Sequence, residues 1–385
     1  MIPYGKHDID QTDIDVVTQI LKNEFLTQGK VVPEFEKRVS EYCGAKHGVA
    51  TNSATSALHI ACLALGLSEG DYLWTSPNTF VASANCGLYC GAKIDFVDID
   101  PKTYNISPDS LEEKLIYAKK NGQLPKIIVP VHFSGQSCEM KAIHKLSLQY
   151  GFKILEDASH AIGGEYRNKA IGSCQYSDIT VFSFHPVKII TTGEGGMAVT
   201  NDDLLSKKMS MLRSHGITHD NNLMTQNSDG QWFYQQIDLG FNYRLTDIQA
   251  ALGISQINRL EHYVEKRHKI ALNYNKAFKE LPLKTPYQHS DTKSSFHLYV
   301  IQLIENKQTL SKKDLFDRLR KLGIGVNLHY IPVHTQPYFK KFGFKLGDFP
   351  VAEKYYKNVI SIPMYPTLQE NQQNFVISSI KKILN

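Results

Sequence analysis

Long apolar runs are missing from this 385-residue chain: no stretch is long enough to cross a bilayer, and the opening MIPYGKHDID has no apolar segment of the kind a secretory leader carries. A cytoplasmic protein without a membrane partner is expected. Basic runs and aromatic-interleaved basic patches are also missing, and the net charge of +5 is spread along the chain. Nucleic acid is therefore not an expected partner, whereas an anionic small molecule such as a nucleotide is compatible. The six cysteines, Cys43, Cys62, Cys86, Cys90, Cys138 and Cys174, keep no metal-ligand spacing. Cys86 and Cys90 stand four apart in an expected helix, but no second pair or histidine tandem accompanies them, so no metal site is expected and buried thiols in a reducing compartment suffice. Internal repeats and low-complexity tracts are absent. What remains is a globular composition, 42% hydrophobic and 21% charged, long enough for one large or two ordinary domains.

The chain alternates between two periods. Thr12 to Phe25 and Pro33 to Cys43 read as helices, with Gly29 of LTQGK as a left-handed stop for the first. Gly48 to Thr51 reads as a strand and Ser56 to Leu65 as an apolar helix. The turn Asn52 to Thr55 between them offers free N–H groups to an anion, or is an ordinary Ser/Thr cap. Then LWTSP precedes a helix Val81 to Cys90, KIDFVDI and KIIVPVHF precede a helix Met140 to Tyr150, and FKILED precedes the ASHAIGG turn. This rhythm predicts an α/β fold with a mostly parallel sheet covered on both faces, whose ligands collect beyond the carboxyl ends of the strands. Asn52 to Thr55, Asn78 to Phe80, Asp157 to His160 and Ser183 to Lys188 all lie at such ends, so one crevice can hold them all. A long helical pattern from Leu245 to about Leu281, with Gly253 as its bend, predicts the bridge from a large domain, 1–260, to a smaller one, 261–385. The smaller one is expected to hold strands SFHLYVIQLI and IGVNLHYIPVH, a helix SKKDLFDRLRKLG and a closing helix Gln369 to Leu384.

One stretch carries the chemistry. ITVFSFHPVKIITTGEGGMAVT, Ile179 to Thr200, reads as two strands with Lys188 in the connection between them, flanked by Val187, Ile189 and Ile190. Such a lysine either buries its stem and extends its ammonium to water, or is desolvated so that its pKa falls toward neutrality. Asp157 ends FKILED 31 residues earlier and either caps the next turn or serves a ligand. Together the pair suggests pyridoxal 5′-phosphate (PLP), whose sites join a Schiff-base lysine to an acidic partner for the ring nitrogen. Phe80 is available to stack on that ring, and Asn52 to Thr55 with Ser183 to hold its phosphate.

The motifs TNSATSALH, SPNTFVASAN, ILEDASHAIGGEY, FSFHPVKIITTGEGG, RSHGI and GFNYRLTDIQAALG resemble, in order and separation, the DegT/DnrJ/EryC1/StrS family of sugar aminotransferases, and the likeness runs from IPYGKHDID to LHYIPVH. It implies a PLP-dependent transferase of fold type I, a homodimer with sites shared between subunits. Lys188 and Asp157 take the catalytic roles. Phe80 stacks on the ring, Ala54, Thr55 and Ser183 bind the phosphate, and Asn242 reaches in from the partner. His160 lies beside the ring where many relatives have glutamine, and is otherwise a satisfied core histidine. For the sugar the resemblance points to Tyr4, to Glu24, Phe25, Leu26 and Thr27, and to Asn327, Leu328, His329 and Tyr330, with Ala54, Ser183 and Asn242 shared. Lys6, Arg213 and Arg244 are candidates for diphosphate or carboxylate. The implied reaction moves an amino group from L-glutamate to C4 of a UDP-4-keto-6-deoxy-N-acetylhexosamine, as in pseudaminic acid biosynthesis. Alternatives are the GDP-perosamine, UDP-4-amino-arabinose and dTDP-sugar types, or a non-catalytic sensor. A related dehydratase carries histidine at the lysine position, and Lys188 argues against it.

Overall fold

The computed structural model describes residues 1–304 and 310–384. Its centre is a seven-stranded sheet of β1 (His47–Thr51), β2 (Tyr72–Thr75), β3 (Lys93–Phe96), β4 (Ile127–Val129), β5 (Lys153–Asp157), β6 (Ile179–Ser183) and β7 (Gly196–Thr200). The order is β1-β7-β6-β5-β4-β2-β3, with β7 alone antiparallel to its neighbours. Strands covered on both faces read as unbroken apolar runs, and all five residues of β6 and of β7 are buried.

Helices close both faces. On one side lie α3 (Ala54–Ala64), α4 (Ala82–Tyr89) and α7 (Asp203–Arg213), which share a core through Leu58, Ile60, Ala84, Met209 and Leu212. On the other lie α2 (Val31–Cys43), α8 (Asp247–Ile257) and the start of α9 (Leu260–Phe278), joined by Phe35, Ala250, Leu260 and Tyr263, with α5 (Pro108–Asn121) and α6 (Met140–Tyr150) farther along. α1 (Gln11–Asn23) opens on a reciprocal cap between Asp10 and Asp13 and packs on α8. A second core surrounds the sheet β8 (Leu283–Lys284), β9 (Tyr299–Leu303) and β10 (Val359–Ile362), with α10 (Lys312–Lys321) and α12 (Glu370–Leu384) over it. The end of α9 joins this core, so that helix runs from one core into the other. α11 (Pro350–Asn358) packs back toward the main sheet through Ala352 and Tyr355.

Three expectations need correction. The helical pattern from Leu245 is broken at Asn258–Arg259 rather than at Gly253. Gly253 lies inside α8 because Phe35 packs against it: an added Cβ would stand 2.6 Å from that ring. The left-handed residue after α1 is Gln28, at φ 57°, and the helix has already ended at Asn23. Gly29 instead gives its N–H to Asp247, 2.6 Å away. The carboxylate of Asp247 also accepts from Val31 and Val32 at the start of α2, which ties the 24–30 segment to α8. Finally, IGVNLHYIPVH is not a strand. Among the described residues its backbone makes only isolated bridges, Ile324 to Ile2 and Asn327 to Ser361, before Pro332 ends the run.

Candidate active site

The sheet's ladder fixes one edge of a cavity of about 570 Å³. Thr51, Gly196 and Ser183 stand abreast on β1, β7 and β6, and Asp157 is in register with Val181 on the next strand. The carboxyl ends of β1, β5 and β6 therefore open together, and the segments that follow them line the cavity. After β1 the chain turns into α3, capped by the Ser53 hydroxyl accepting from Ser56 N–H. As at any helix start, the N–H groups of Ala54 and Thr55 have no acceptor within the helix, and both residues line the cavity. Gly196 lets this turn approach the sheet: a Cβ there would lie 2.5 Å from Ala54 N.

After β5, Asp157 is buried and fixed at both oxygens. Oδ2 accepts from the Ser83 hydroxyl at 2.6 Å, and Oδ1 from Ser159 N–H at 3.1 Å. Ser83 is itself bonded to Thr79. After β6, Lys188 is half-buried in the connection to β7; burial lowers its pKa to about 8, against the pull of Asp157 in the opposite direction. A minority of its amine, far more than for an ordinary lysine, is therefore neutral near physiological pH. The Phe80 ring is 59% exposed, which is uncommon for a large apolar side chain beside a cavity, and leaves a face open for stacking.

The opposite wall is made of uncharged rings. His160 receives Ser134 N–H on Nδ1 at 3.2 Å and meets Tyr330 Oη through Nε2 at 3.0 Å. His297 lies with its ring centroid 4.4 Å from that of His160, and among the described residues its buried Nδ1 has no partner. His329 is bonded to Ser361 and faces Tyr4, with centroids 5.6 Å apart. Burial and the charge of Lys188 hold all three imidazoles below the usual histidine range, His329 at about 3. The wall thus offers hydrogen bonds without fixed charge.

Twelve of the residues expected from sequence line this cavity: Tyr4, Ala54, Thr55, Phe80, Asp157, His160, Ser183, Lys188, Asn327, Leu328, His329 and Tyr330. Five do not: Glu24, Phe25, Leu26, Thr27 and Asn242 lie outside it within one chain. Glu24 to Thr27 run beside the start of α8, since Thr27 bridges Thr246 and Leu26 accepts from Asp247 N–H, whereas Asn242 is exposed and bridges Ser214. Arg213, expected at a ligand, is committed elsewhere: it pairs with Glu36 and donates to Ala50 O at 2.7 Å. Lys6 is exposed and Arg244 half-buried, and neither lines the cavity. Sequence reasoning did not single out Ser83, Ser159, Glu194 or His297. Ser83 and Ser159 stand three and two residues after Phe80 and Asp157, a proximity that was the available signal, whereas nothing local marks His297.

The six cysteines are free, and among the described residues no helix is long and apolar enough to cross a membrane.

Comparison with known proteins agrees with this geometry. The profile of the DegT/DnrJ/EryC1/StrS aminotransferase family matches residues 7–381. The chain is 42% identical over 387 residues to a UDP-4-amino-4,6-dideoxy-N-acetyl-beta-L-altrosamine transaminase of Campylobacter jejuni, covering 100% of this chain and 98% of that one. Among solved structures, Helicobacter pylori PseC, an aminotransferase of pseudaminic acid biosynthesis, superposes with a TM-score of 0.90 at 33% identity, covering 100% of this chain and 99% of the other. Spr1654 of Streptococcus pneumoniae in its PLP form superposes at 0.87 and 26% identity, with both chains covered in full. On the profile match across nearly its whole length, the chain belongs to the DegT/DnrJ/EryC1/StrS aminotransferase family.

Proposed function

We propose that the protein uses PLP, held at Lys188, to move an amino group from L-glutamate to C4 of a UDP-linked 4-keto-6-deoxy-N-acetylhexosamine. The observation that carries the reading is the convergence of Lys188, the doubly anchored Asp157 and the first turn of α3 on one cavity. The donor set suits the cofactor part by part. A phosphate matches Ala54 and Thr55 N–H with the Ser183 hydroxyl, a protonated ring nitrogen matches Asp157, and a flat ring matches the open face of Phe80. Names given to relatives supply the sugar.

Bound PLP would supply an electron sink for the negative charge that develops at the carbon being deprotonated. The rest falls to the chain. Lys188, its amine partly neutral, would hold the cofactor and is the group that could take and return the proton at the substrate carbon. Asp157 would hold the ring nitrogen and keep it protonated, and Ser83 and Ser159 hold its carboxylate in place. The uncharged wall of His160, His297, His329 and Tyr330 suits hydroxyl and acetamido groups better than a carboxylate. Among the described residues that line the cavity, Lys188 is the one lysine and there is no arginine. The diphosphate and the glutamate carboxylate then need cations from the rim or from a second subunit. Glu24 to Thr27, with the exposed ring of Phe25, and the exposed Asn242 suit contact with that subunit in a homodimer with shared sites.

The test is amination of 4-keto sugars at one glutamate concentration. UDP-2-acetamido-2,6-dideoxy-β-L-arabino-hex-4-ulose should show a higher kcat/KM than its GDP or dTDP counterparts or a UDP-4-keto-pentose. A clear preference for the pentose or for GDP would overturn the sugar assignment and leave the aminotransferase in place.

A further inference from the structure

Three of the six thiols stand together on two packed helices, away from the cavity. His59 and Cys62 are three residues apart on α3, and Cys86 and Cys90 are four apart on α4, with Cys90 as its C-cap, so each pair occupies one face of its helix. Those faces meet. The His59 ring lies 5.3 Å from that of Tyr89, which sets the end of α4 against the middle of α3, and the Cys62 thiol is hydrogen-bonded to Cys86 and to Cys90. Cys90 Sγ folds back to 3.3 Å from Cys86 O. His59 reaches the same sulfur, while its Nδ1 meets Tyr243 Oη at 3.2 Å. Among the described residues no three such side chains are placed to share one metal ion, so they do not form a zinc site.

The three sulfurs differ in access and in charge. Cys62 and Cys86 are buried, whereas Cys90 is half-buried and can be reached from solvent. Hydrogen bonds from Cys62 and His59 draw the Cys90 thiol below the usual range against the effect of burial, and burial pushes the Cys62 thiol up. A thiolate is thus favoured at the outer sulfur, and the one beneath it keeps its proton. Cys86 is the poorer partner for Cys90. Side chains one turn apart on a helix keep their Cβ atoms about 5–6 Å apart, and a disulfide needs about 3.5–4.5 Å. The Cys86 thiol also donates to Ser83 O at 3.3 Å within its own helix.

We propose that Cys90 is a peroxide-reactive thiol and that Cys62 resolves it, forming a reversible disulfide between α3 and α4. In the first step the Cys90 sulfur takes one oxygen from hydrogen peroxide, and the other oxygen leaves as water. In the second the Cys62 sulfur attacks that of Cys90, the new S–O bond breaks, and the hydroxide leaves with the Cys62 proton as a second water. Two thiols are oxidised and one peroxide is reduced. A dithiol reductant reverses the link. None of His59, Cys62, Cys86 and Cys90 lines the cavity, so the proposal stands apart from the PLP reading.

The experiment treats reduced full-length protein with hydrogen peroxide, then quenches, denatures and alkylates it with N-ethylmaleimide. Wild type should lose two of its six free thiols and yield a peptide pair cross-linked through Cys62 and Cys90, which dithiothreitol separates. Cys90→Ala should lose the cross-link and keep every remaining thiol. Cys62→Ala should stop at a sulfenic acid on Cys90 that dimedone captures. If Cys62→Ala does not fold, the wild-type cross-link together with Cys90→Ala decides the matter. Wild type that keeps all six thiols, or whose cross-link runs through Cys86, would overturn the proposal. So would zinc bound in stoichiometric amount by the wild type and lost in Cys90→Ala, which would make the cluster a metal site.

Discussion

The two ends of the cavity are built differently. At one end Lys188, Asp157, Ser183 and the first turn of α3 follow directly from strands whose register is set by ladder bonds across β1, β7, β6 and β5. At the other, Asn327 to Tyr330 belong to no ladder. Asn327 exchanges two backbone bonds with Ser361, Tyr330 N–H reaches the Asn78 side chain at 3.3 Å, and Val333 N–H reaches Pro77 O. The first arrangement ties the proposed catalytic groups to the hydrogen-bonded sheet. The second leaves the wall proposed to meet the sugar free to vary without disturbing the sheet, as expected where specificity is carried on irregular backbone.

Substitutions can break this contrast. Asp157→Asn, at the sheet end, removes a charge needed as negative charge develops in the ring, and should lower kcat by about 10²–10³ with a modest effect on KM. Steady-state kinetics check it, and a loss confined to KM would contradict the assignment. Ser83→Ala leaves the charge and removes one of its anchors, so a smaller fall in kcat, about tenfold, is expected on the same measurement.

A third region sharpens the comparison, because Glu24 to Thr27 and Asn242 belong to neither end within one chain. If they complete the partner's site, mixing Lys188→Ala with Asn242→Ala subunits places both lesions in one site and leaves the other intact. Verified heterodimers should then recover about half the wild-type rate. Heterodimers no more active than either parent, each parent being severely impaired, would contradict sharing.

The smallest effect concerns pH. Lys188 is protonated below about 8 and neutral above it, and only the neutral amine attacks an aldehyde, so the rate of PLP uptake by cofactor-free protein should rise through that pH. Stopped-flow absorbance would record it. A rise only near the ordinary lysine value of about 10.4 would show that the amine is not desolvated.

The same contrast governs how much could be read from the sequence. The sheet end was legible because strands buried on both faces announce themselves as short apolar runs, and Asp157 and Lys188 fall at or just beyond their ends. The far end was not. IGVNLHYIPVH alternates like a strand, yet its hydrogen bonds go to Ile2, Ser361 and Asn78, which no local pattern encodes. The break at Asn258–Arg259 lacks a glycine, and the glycine that invited one, Gly253, is there for Phe35. Ser83 reaches Asp157 from 74 residues away, and Arg213 looked available until Glu36 was found beside it. Side-chain partners distant in sequence were the information missing.

Trapping the cofactor tests the central claim most directly. Protein loaded with PLP, reduced with borohydride and digested should carry the label on the peptide containing Lys188, and Lys188→Ala protein should carry none. A label on another lysine in the wild type, or a visible band that survives in Lys188→Ala with the label moved elsewhere, would contradict the account.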